Sequence, residues 1–331
     1  MLILRIQLEP NEYYLFRFYE KNVKLDHAIT YLNSAQFSRD INPVLNPPEW
    51  HYILNDKLVF NIYCRNHGIP VAHQYGFYGK DFGFLADGGK LSSPKDFFDF
   101  LMKKKPENMV LKPHNTFGGF GILIFDNIQY NAEIVFSSSN GGSVKFSELT
   151  EKLDSSLNNG KNIKGFVLEA MIEQHPVLRN IYSHSVNTIR IITYLTKDSH
   201  PKIFRTRIRM GRNGNLVDNV SQGGISATID PETGKIRDGL LITSGKELYI
   251  SDHPDTGVRF TGIEIPYWQR VLDLCREAAK ATPLQRFVGW DIAVGESGPV
   301  IIEGHSFGVE VASEQLDNNG FMTEEFRSDM L

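Results

Sequence analysis

The sequence predicts an α+β fold, in which helices and antiparallel strands occupy separate stretches of the chain. Three observations support this prediction. Capped amphipathic segments occur in the first third, short apolar runs separated by turn residues begin near residue 186, and two apolar runs joined by Gly-Glu-Ser-Gly-Pro lie at 287–305. The chain has 331 residues, of which 41% are hydrophobic, so it can bury a sizeable core.

The first predicted helix lies in the segment NDKLVFNIYCRNHG. Asn55 or Asp56 can cap it, apolar residues recur at helical spacing through Cys64, and Gly68 ends it. We expect a strand from Val71. A second capped helix is predicted for SPKDFFDFLMKKK, because basic residues in its last turn complement the helix dipole.

Residues 108–172 are predicted to form a strand, a loop, a strand, a helix and a strand. The corresponding segments are NMVLKP, HNTFGGFG, ILIFD, KFSELTEKLDSSL and KGFVLEAMI. Further along, the runs NTIRIITYLT, KIFRTRIRMG and GISATIDPETGKI predict strands. A long helix, PYWQRVLDLCREAAKAT, precedes the final hairpin.

The final hairpin carries two isolated carboxylates. Folding it about Ser297 places Asp291 opposite Glu303, where like charges destabilise a strand pair. A divalent cation or a shared proton between the acids would remove this repulsion; otherwise the register is shifted and one acid lies at a solvated edge. His305 lies on the same strand face as Glu303 and could be a third metal ligand, a general base or a loop residue.

Composition and charge exclude several classes of protein. The net charge of −4 gives no overall basic character for binding nucleic acid. Cys64 and Cys275 are interpreted as buried thiols, because two cysteines make no disulfide framework. The sequence has no run of 18 apolar residues and no secretory signal pattern. We therefore expect a cytoplasmic, soluble protein without a membrane span, in which local basic clusters could still bind small anions.

The segment VLKPHNTFGGFGI is a candidate phosphate-binding loop. Lys112 lies at a strand end, and Gly118, Gly119 and Gly121 would let backbone N–H groups approach phosphate oxygens. The segment is not a P-loop, and no helix follows it as in a dinucleotide-binding turn. The alternative is an ordinary glycine-rich hairpin loop.

Arginines on neighbouring strands are candidate anion-binding groups. Arg190, Arg207 and Arg209 lie on two predicted strands, and guanidinium groups suit phosphate geometry. The alternative is a solvated sheet face with acids opposite. Asp218 precedes a pair of glycines between strands, and Glu169 ends a strand; taken alone, neither assigns a function.

The order of these motifs resembles the ATP-grasp superfamily. A Lys-Pro strand with a glycine-rich hairpin comes first, then a strand that ends in Glu, arginines on strands, and Asp-x11-Glu on a terminal hairpin. The match is closest to the branch described as sugar-transfer-associated ATP-grasp, related to alpha-L-glutamate ligases. The segments NTIRIITYL, VDNVSQGGISATIDPETG and VGWDIAV…GPVIIEGH carry this likeness, which extends over about residues 55–305.

The resemblance implies an ATP-grasp fold, in which two α+β subdomains clasp ATP beside a variable N-terminal region. Residues 1–106 would lead into the core, residues 107–175 would form the smaller subdomain with the glycine-rich loop, and residues 176–331 would form the subdomain with the metal-binding hairpin. The sequence suggests no role for residues 1–54, which are aromatic-rich.

The resemblance also assigns roles to the candidate residues. Lys57, Lys112 and the loop glycines would hold ATP phosphates, and the segment from Glu169 to Ile172 would line the adenine pocket. Arg190 and Arg209 would stabilise the transferred phosphate or an acyl phosphate. Asp291 and Glu303 would bind Mg²⁺. Such folds usually have Asn two residues after this Glu, where this chain has His305. This departure implies Mn²⁺ tolerance, loss of one metal position, or a catalytic histidine.

The function implied is ATP-dependent ligation of a carboxylate to an amine through an acyl phosphate. The branch name points to a sugar acid or an amino acid in polysaccharide or natural-product biosynthesis. One alternative is a phosphotransferase that stops at a phosphorylated small metabolite. Another is a nucleotide- or glycan-binding protein without turnover.

Overall fold

The computed structural model describes residues 8, 10–21, 23–139, 142–158, 163–218, 223–243, 246–306, 315 and 320–330. The chain has a π-helical turn at Phe37–Ile41 and a 3-10 turn at Pro48–Trp50. Its α-helices are α1 Pro10–Leu15, α2 Leu25–Ala28, α3 Ser34–Gln36, α4 Asn42–Leu45, α5 Tyr52–Asn55, α6 Lys57–Asn66, α7 Pro94–Lys104, α8 Phe146–Asn158, α9 Pro176–Ile181, α10 Trp268–Ala281 and α11 Glu324–Met330.

The strands pair into sheets of five, seven and three strands. They are β1 Gln74–Tyr78, β2 Phe84–Leu85, β3 Met109–Pro113, β4 Leu123–Phe125, β5 Asn127–Tyr130, β6 Ile134–Ser138, β7 Gly142–Lys145, β8 Phe166–Glu169, β9 Ile189–Leu195, β10 Pro201–Met210, β11 Ile225–Ile229, β12 Ile236–Thr243, β13 Lys246–Ile250, β14 Phe287–Gly295 and β15 Gly298–His305.

The five-stranded sheet has the order β2-β1-β8-β3-β4, with antiparallel neighbours. Its core includes Phe97 from α7, Phe136 from β6 and Leu149 from α8, all fully buried. The sheet also takes two strands, β1 and β2, that precede residue 107. The strand expected from Val71 begins instead at Gln74, because Val71 forms only an isolated bridge with Ile301.

The seven-stranded sheet has the order β13-β12-β11-β10-β9-β14-β15. One of its faces packs against α10, where Ile191, Ile208 and Val271 belong to one buried cluster. Because side chains alternate along a strand, Arg190 on β9 and Asp291 on β14 project from the opposite face. This second face is polar at Arg190 and Asp291, whereas Ile192, Tyr194 and Phe287 on the same face belong to another buried apolar cluster.

Local signals in the sequence correctly predicted the principal helices. Asp56 caps α6 by accepting hydrogen bonds from the N–H groups of Leu58 and Val59, and Ser93 caps α7. Such caps satisfy backbone N–H groups that have no partner within the helix. The predicted module at 108–172 was incomplete, because β5, β6 and β7 form a separate three-stranded sheet within it.

Candidate active site

A cavity of about 840 Å³ is lined by residues of both larger sheets. The loop 114–122, between β3 and β4, and the segments that lead into β9 and β11 complete its wall. Its charged lining residues are Lys57, Lys112, Glu169, Glu173, Arg179, Arg190, Arg207, Arg209, Asp218, Asp291 and Glu303.

Lys112 and Glu169 form a buried ion pair on the side of the five-stranded sheet. They lie on the neighbouring antiparallel strands β3 and β8, and Lys112 Nζ is 2.6 Å from Glu169 Oε2. The two side chains are 11% and 6% exposed, respectively. A buried charge requires a partner, so this pair supplies a lysine held in place at the cavity wall.

Lys57 reaches the same wall from the first turn of α6. Its ammonium group donates to the carbonyl oxygen of Thr116, and its backbone N–H donates to the carbonyl oxygen of His114 at 2.8 Å. Burial lowers the pKa of Lys57, while the nearby carboxylate of Glu303 acts in the opposite direction. The N-terminus of α6 is thus joined to the beginning of the glycine-rich loop.

The glycine-rich loop adopts a backbone conformation that favours glycine. Gly118, Gly119 and Gly121 have φ angles of 64°, 77° and 76°, which L side chains rarely adopt. A Cβ atom at Gly119 would lie 3.0 Å from Cγ1 of Val217, another residue that lines the cavity. Gly118 and Gly119 line the cavity, whereas Gly121 is not among its described lining residues.

The predicted opposition of Asp291 and Glu303 is confirmed, but its route differs from the one expected. A two-residue turn at 296–297 would by itself place Ile302 opposite Asp291. The register shifts by one residue beside Asp291, so Ile302 is a bulged extra residue and Glu303 becomes the partner. Both Ile302 and Glu303 line the cavity, although neighbours in a regular strand point to opposite faces.

Asp291 is the centre of a buried charge cluster. Arg190 donates to both of its carboxylate oxygens, at 2.5 and 3.1 Å, and Arg209 donates to Oδ2 at 2.7 Å. Burial acts to raise the pKa of this carboxyl, but the guanidinium groups of Arg190 and Arg209 outweigh it and hold that pKa well below its usual range. The two arginines therefore keep Asp291 ionised.

His305 lies between the two opposed acids. Its Nε2 is 3.0 Å from Glu303 Oε1 and 3.4 Å from Asp291 Oδ2. Burial acts against protonation, but the two carboxylates outweigh it and raise the pKa of His305. Burial likewise acts to raise the pKa of Glu303, which His305 lowers to about 2. The repulsion expected between the acids is thus offset by His305 and the two arginines.

The same three residues could hold a divalent cation. Asp291, Glu303 and His305 each offer one ligand atom, and these atoms lie within 4.8 Å of one another. The donor set of two carboxylates and one imidazole fits a divalent metal ion. The described residues therefore include a candidate metal site where the sequence places it.

The cavity wall also has apolar side chains. Ile122, Ile124, Ile172 and Ile302 line it together with Val110. Ile172 follows the end of β8, so the predicted segment from Glu169 to Ile172 lies along this wall. A flat apolar group can pack there while a polar group extends toward the lysines.

Sequence reasoning missed a contact at the base of the loop. The ring of His114 is bonded through Nδ1 to Asp56 Oδ2, and its Nε2 accepts from the backbone N–H of Lys164 at 3.2 Å. Asp56 was interpreted only as a helix cap. A histidine directly after the Lys-Pro pair was the one available signal, and it has no local partner.

Asp218 is a further buried acid whose role the sequence left open. Its Oδ2 accepts from the backbone N–H of Thr188 at 2.8 Å and lies 3.9 Å from Nε of Arg209. Burial raises the pKa of Asp218, and Arg209 opposes that shift. Arg207 is also buried and lines the cavity, directly opposite Arg190 in the strand register.

Comparisons with known proteins agree on the fold. The sequence model of a family described as sugar-transfer associated ATP-grasp matches residues 36–327. A solved structure of phosphoribosylamine–glycine ligase from Thermotoga maritima is similar, with a TM-score of 0.50, 15% identity, and coverage of 90% of this chain and 61% of that protein. No curated protein sequence matches the chain.

Two further solved structures have lower scores. D-alanyl-alanine synthetase A from Vibrio cholerae has a TM-score of 0.49 and 8% identity, and the match covers 85% of this chain and 65% of the synthetase. Biotin carboxylase from Campylobacter jejuni has a TM-score of 0.48 and 12% identity, with coverages of 87% and 51%. The chain thus spans between about half and two thirds of the length of these proteins. In the described parts of the chain, every helix is too short or too polar to cross a bilayer.

Proposed function

Because the chain belongs to the sugar-transfer associated ATP-grasp family, we propose that it uses ATP to join a carboxylate to an amine. One observation carries this proposal: a single cavity brings Lys57 and Lys112 together with the cluster of Arg190, Arg209 and Asp291. Phosphoryl transfer depends on positioning and charge neutralisation more than on covalent chemistry by the protein. Lysines, arginines and acids around one space meet that requirement.

In this proposal, the nucleotide lies between the two sheets. Its base packs on the apolar wall that includes Val110 and Ile172, and its phosphates extend toward Lys57 and Lys112. Gly118 and Gly119 belong to the glycine-rich loop, and closure of this loop would bring their backbone N–H groups to the phosphate oxygens. The approach of Gly119 to Val217 supports a loop that covers the nucleotide from above.

Asp291, Glu303 and His305 would hold a divalent cation beside the phosphates. When bound, the cation neutralises phosphate charge and orients the reacting oxygens. Mg²⁺ prefers oxygen ligands, whereas a neutral imidazole also suits transition metals. We therefore propose that the site uses Mg²⁺ and tolerates Mn²⁺, because one of its ligand positions is His305.

The reaction would proceed in two displacements. A carboxylate oxygen of the substrate attacks the γ-phosphorus, the bond to the β,γ-bridging oxygen breaks, and ADP leaves with that electron pair. The amine then attacks the acyl carbon, and phosphate leaves as the amine loses a proton. Arg190 and Arg209 would stabilise the charge on the transferred phosphoryl group, since one guanidinium group can donate two parallel hydrogen bonds to phosphate oxygens.

The substrate class follows only from the family description. The words "sugar-transfer associated" in that description point to a sugar acid or an amino acid as the carboxylate substrate. Such a substrate would be used in the assembly of a polysaccharide or a natural product. The buried arginines at the cavity wall support an anionic substrate. They do not distinguish among acids.

The test is release of ADP with trapping by hydroxylamine. Candidate acids are incubated with ATP, Mg²⁺ and hydroxylamine in place of the amine, and a hydroxamate is measured together with ADP. The variant Asp291→Asn with Glu303→Gln serves as the control for contaminating activity. A hydroxamate supports the acyl phosphate. A stable phosphorylated alcohol supports the phosphotransferase. Nucleotide binding without release of ADP in the presence of any tested acid supports a binding protein.

A further inference from the structure

Residues 46–57 contact both halves of the candidate nucleotide site, and we call this segment the N-terminal strap. It includes α5 and the first residue of α6. One end lies against the hairpin that carries Asp291 and Glu303, and the other lies at the base of the glycine-rich loop. Residues 46–54 of the strap lie within the part of the chain to which the sequence assigned no role.

The first end of the strap is Asn46, which is fully buried. Its side-chain amide donates to the carbonyl oxygens of Phe287 at 2.7 Å and Ser306 at 2.9 Å, and its Oδ1 accepts from the N–H of Phe287 at 3.0 Å. Phe287 begins β14, and Ser306 directly follows His305. One side chain therefore ties the open ends of both hairpin strands together, one residue from a candidate metal ligand.

The second end of the strap is formed by Asp56 and Lys57. Asp56 caps α6 and also bonds the ring of His114, the first residue after β3. Lys57 donates to the carbonyl oxygens of His114 and Thr116. Three bonds therefore hold the start of the glycine-rich loop to the N-terminus of α6.

The middle of the strap is anchored in the core of the large sheet. Leu54 is 2% exposed, and its Cδ2 lies 3.2 Å from the position that a Cβ atom would take at Gly304 on β15. His51 Nε2 is 2.9 Å from the carbonyl oxygen of Asn46. Close packing of this kind transmits position from one end of a segment to the other.

We propose that the N-terminal strap sets the position of the glycine-rich loop relative to the metal-binding hairpin, with Asp56 and Asn46 as its positioning residues. This inference rests on the proposed nucleotide site. It gives the N-terminal region a part in that site, although neither Asn46 nor Asp56 is among the described residues that line the cavity. Held by the strap, the lysines and the loop on one side face the acids and arginines on the other.

Asp56→Asn is the decisive variant, because Asn caps a helix about as well as Asp. The substitution keeps the cap of α6 and removes the negative charge of the carboxylate that is bonded to His114. We expect the affinity for β,γ-imido ATP with Mg²⁺ to fall about three- to tenfold. Amide hydrogen exchange should become faster within residues 114–121, with little change at α7.

Ser93→Ala provides the matched control. Ser93 Oγ caps α7 by accepting from the N–H of Asp96 at 3.2 Å, and the loss of a serine cap costs about 1 kcal/mol of stability. This variant should lower the melting temperature without changing nucleotide affinity or loop exchange. Equal loss of affinity in Ser93→Ala and Asp56→Asn would show that general destabilisation is the cause and would overturn the proposal.

Asn46→Ala tests the other end. We expect its affinity for Mn²⁺, measured with β,γ-imido ATP present, to fall about tenfold, while its affinity for metal-free ADP falls less. If this variant does not fold, Asp56→Asn and His114→Gln decide the question. Wild-type protein that binds no nucleotide would refute the proposed function, whereas unchanged loop exchange in Asp56→Asn would refute the strap, since exchange needs no ligand.

Discussion

The buried pair of Lys112 and Glu169 allows a binding role to be separated from a structural one. Lys112→Met would leave the carboxylate of Glu169 buried without its nearest cation, which costs about 3–5 kcal/mol of unfolding free energy. Lys57 also attracts Glu169 electrostatically. We therefore expect the lower end of that range, about 3 kcal/mol.

Neutralising both partners should restore stability without restoring binding. Replacing a buried ion pair by neutral residues of similar volume is often close to neutral, so Lys112→Met with Glu169→Gln should unfold within about 1 kcal/mol of wild type. Both Lys112 variants lack a charge-assisted bond to phosphate of about 1.5–3 kcal/mol. Their affinity for ATP should therefore fall roughly tenfold or more.

Two measurements check this prediction. Urea unfolding gives the free energy of unfolding for wild type, both single variants and the double variant, and calorimetric titration with β,γ-imido ATP gives the affinities. Glu169→Gln alone reports the effect of losing the acid while the lysine remains. A double variant that is as stable as wild type and binds the nucleotide equally well would refute the assignment of Lys112 to the phosphates.

Three further predictions concern the hairpin that carries the candidate metal site. Mg-ATP should raise the melting temperature of the wild type, and most of that rise should be lost in Asp291→Asn with Glu303→Gln. His305→Asn should raise the Mg²⁺-supported rate relative to the Mn²⁺-supported rate, because an oxygen ligand replaces a nitrogen. In the nucleotide-free protein, the stability difference between wild type and His305→Gln should be largest between about pH 4.5 and 6.5. It should then decline as pH rises through the raised pKa of His305, and also as pH falls toward the Glu303 pKa of about 2.

Each of these outcomes can be contradicted by a specific result. If Mg-ATP stabilises the double variant as much as the wild type, the two hairpin acids are not metal ligands. A large loss of rate with both metals and a changed pH profile would assign His305 to acid–base catalysis, and unchanged rates and metal preference would make it an ordinary loop residue. A stability difference that grows above pH 6.5 would contradict the charge on His305.

Elements with local signals were predictable from the sequence. Asp56 and Ser93 identify helix starts because a cap acts within three residues. The apolar runs at β9 and β14 and the alternating pattern at β10 are long enough to specify strands. The pairing of Asp291 with Glu303 was predicted by symmetry about the turn. The structure reaches the same pairing with a shifted turn and a bulge.

The unpredicted features lack such signals. The strands β5 and β7 have four residues each, NIQY and GSVK, and neither has the continuous apolar pattern of a buried strand. The bond between Asp56 and His114 joins residues 58 positions apart. Tertiary packing alone brings these two residues together, so no spacing in the sequence indicates the pair.

The bulge at Ile302 has a consequence for insertions and deletions in β15. Ile301 faces the core, Ile302 and Glu303 both line the cavity, and the regular alternation resumes beyond them. Deleting Ile302 would therefore restore an unbroken ladder and keep Glu303 opposite Asp291, while it would remove one apolar side chain from the cavity wall. Inserting a further residue there, with the single-residue bulge kept, would instead place Glu303 opposite Trp290, whose side chain belongs to the core. While the bulge is kept, chain length at this position thus determines whether the hairpin presents Glu303 to the cavity.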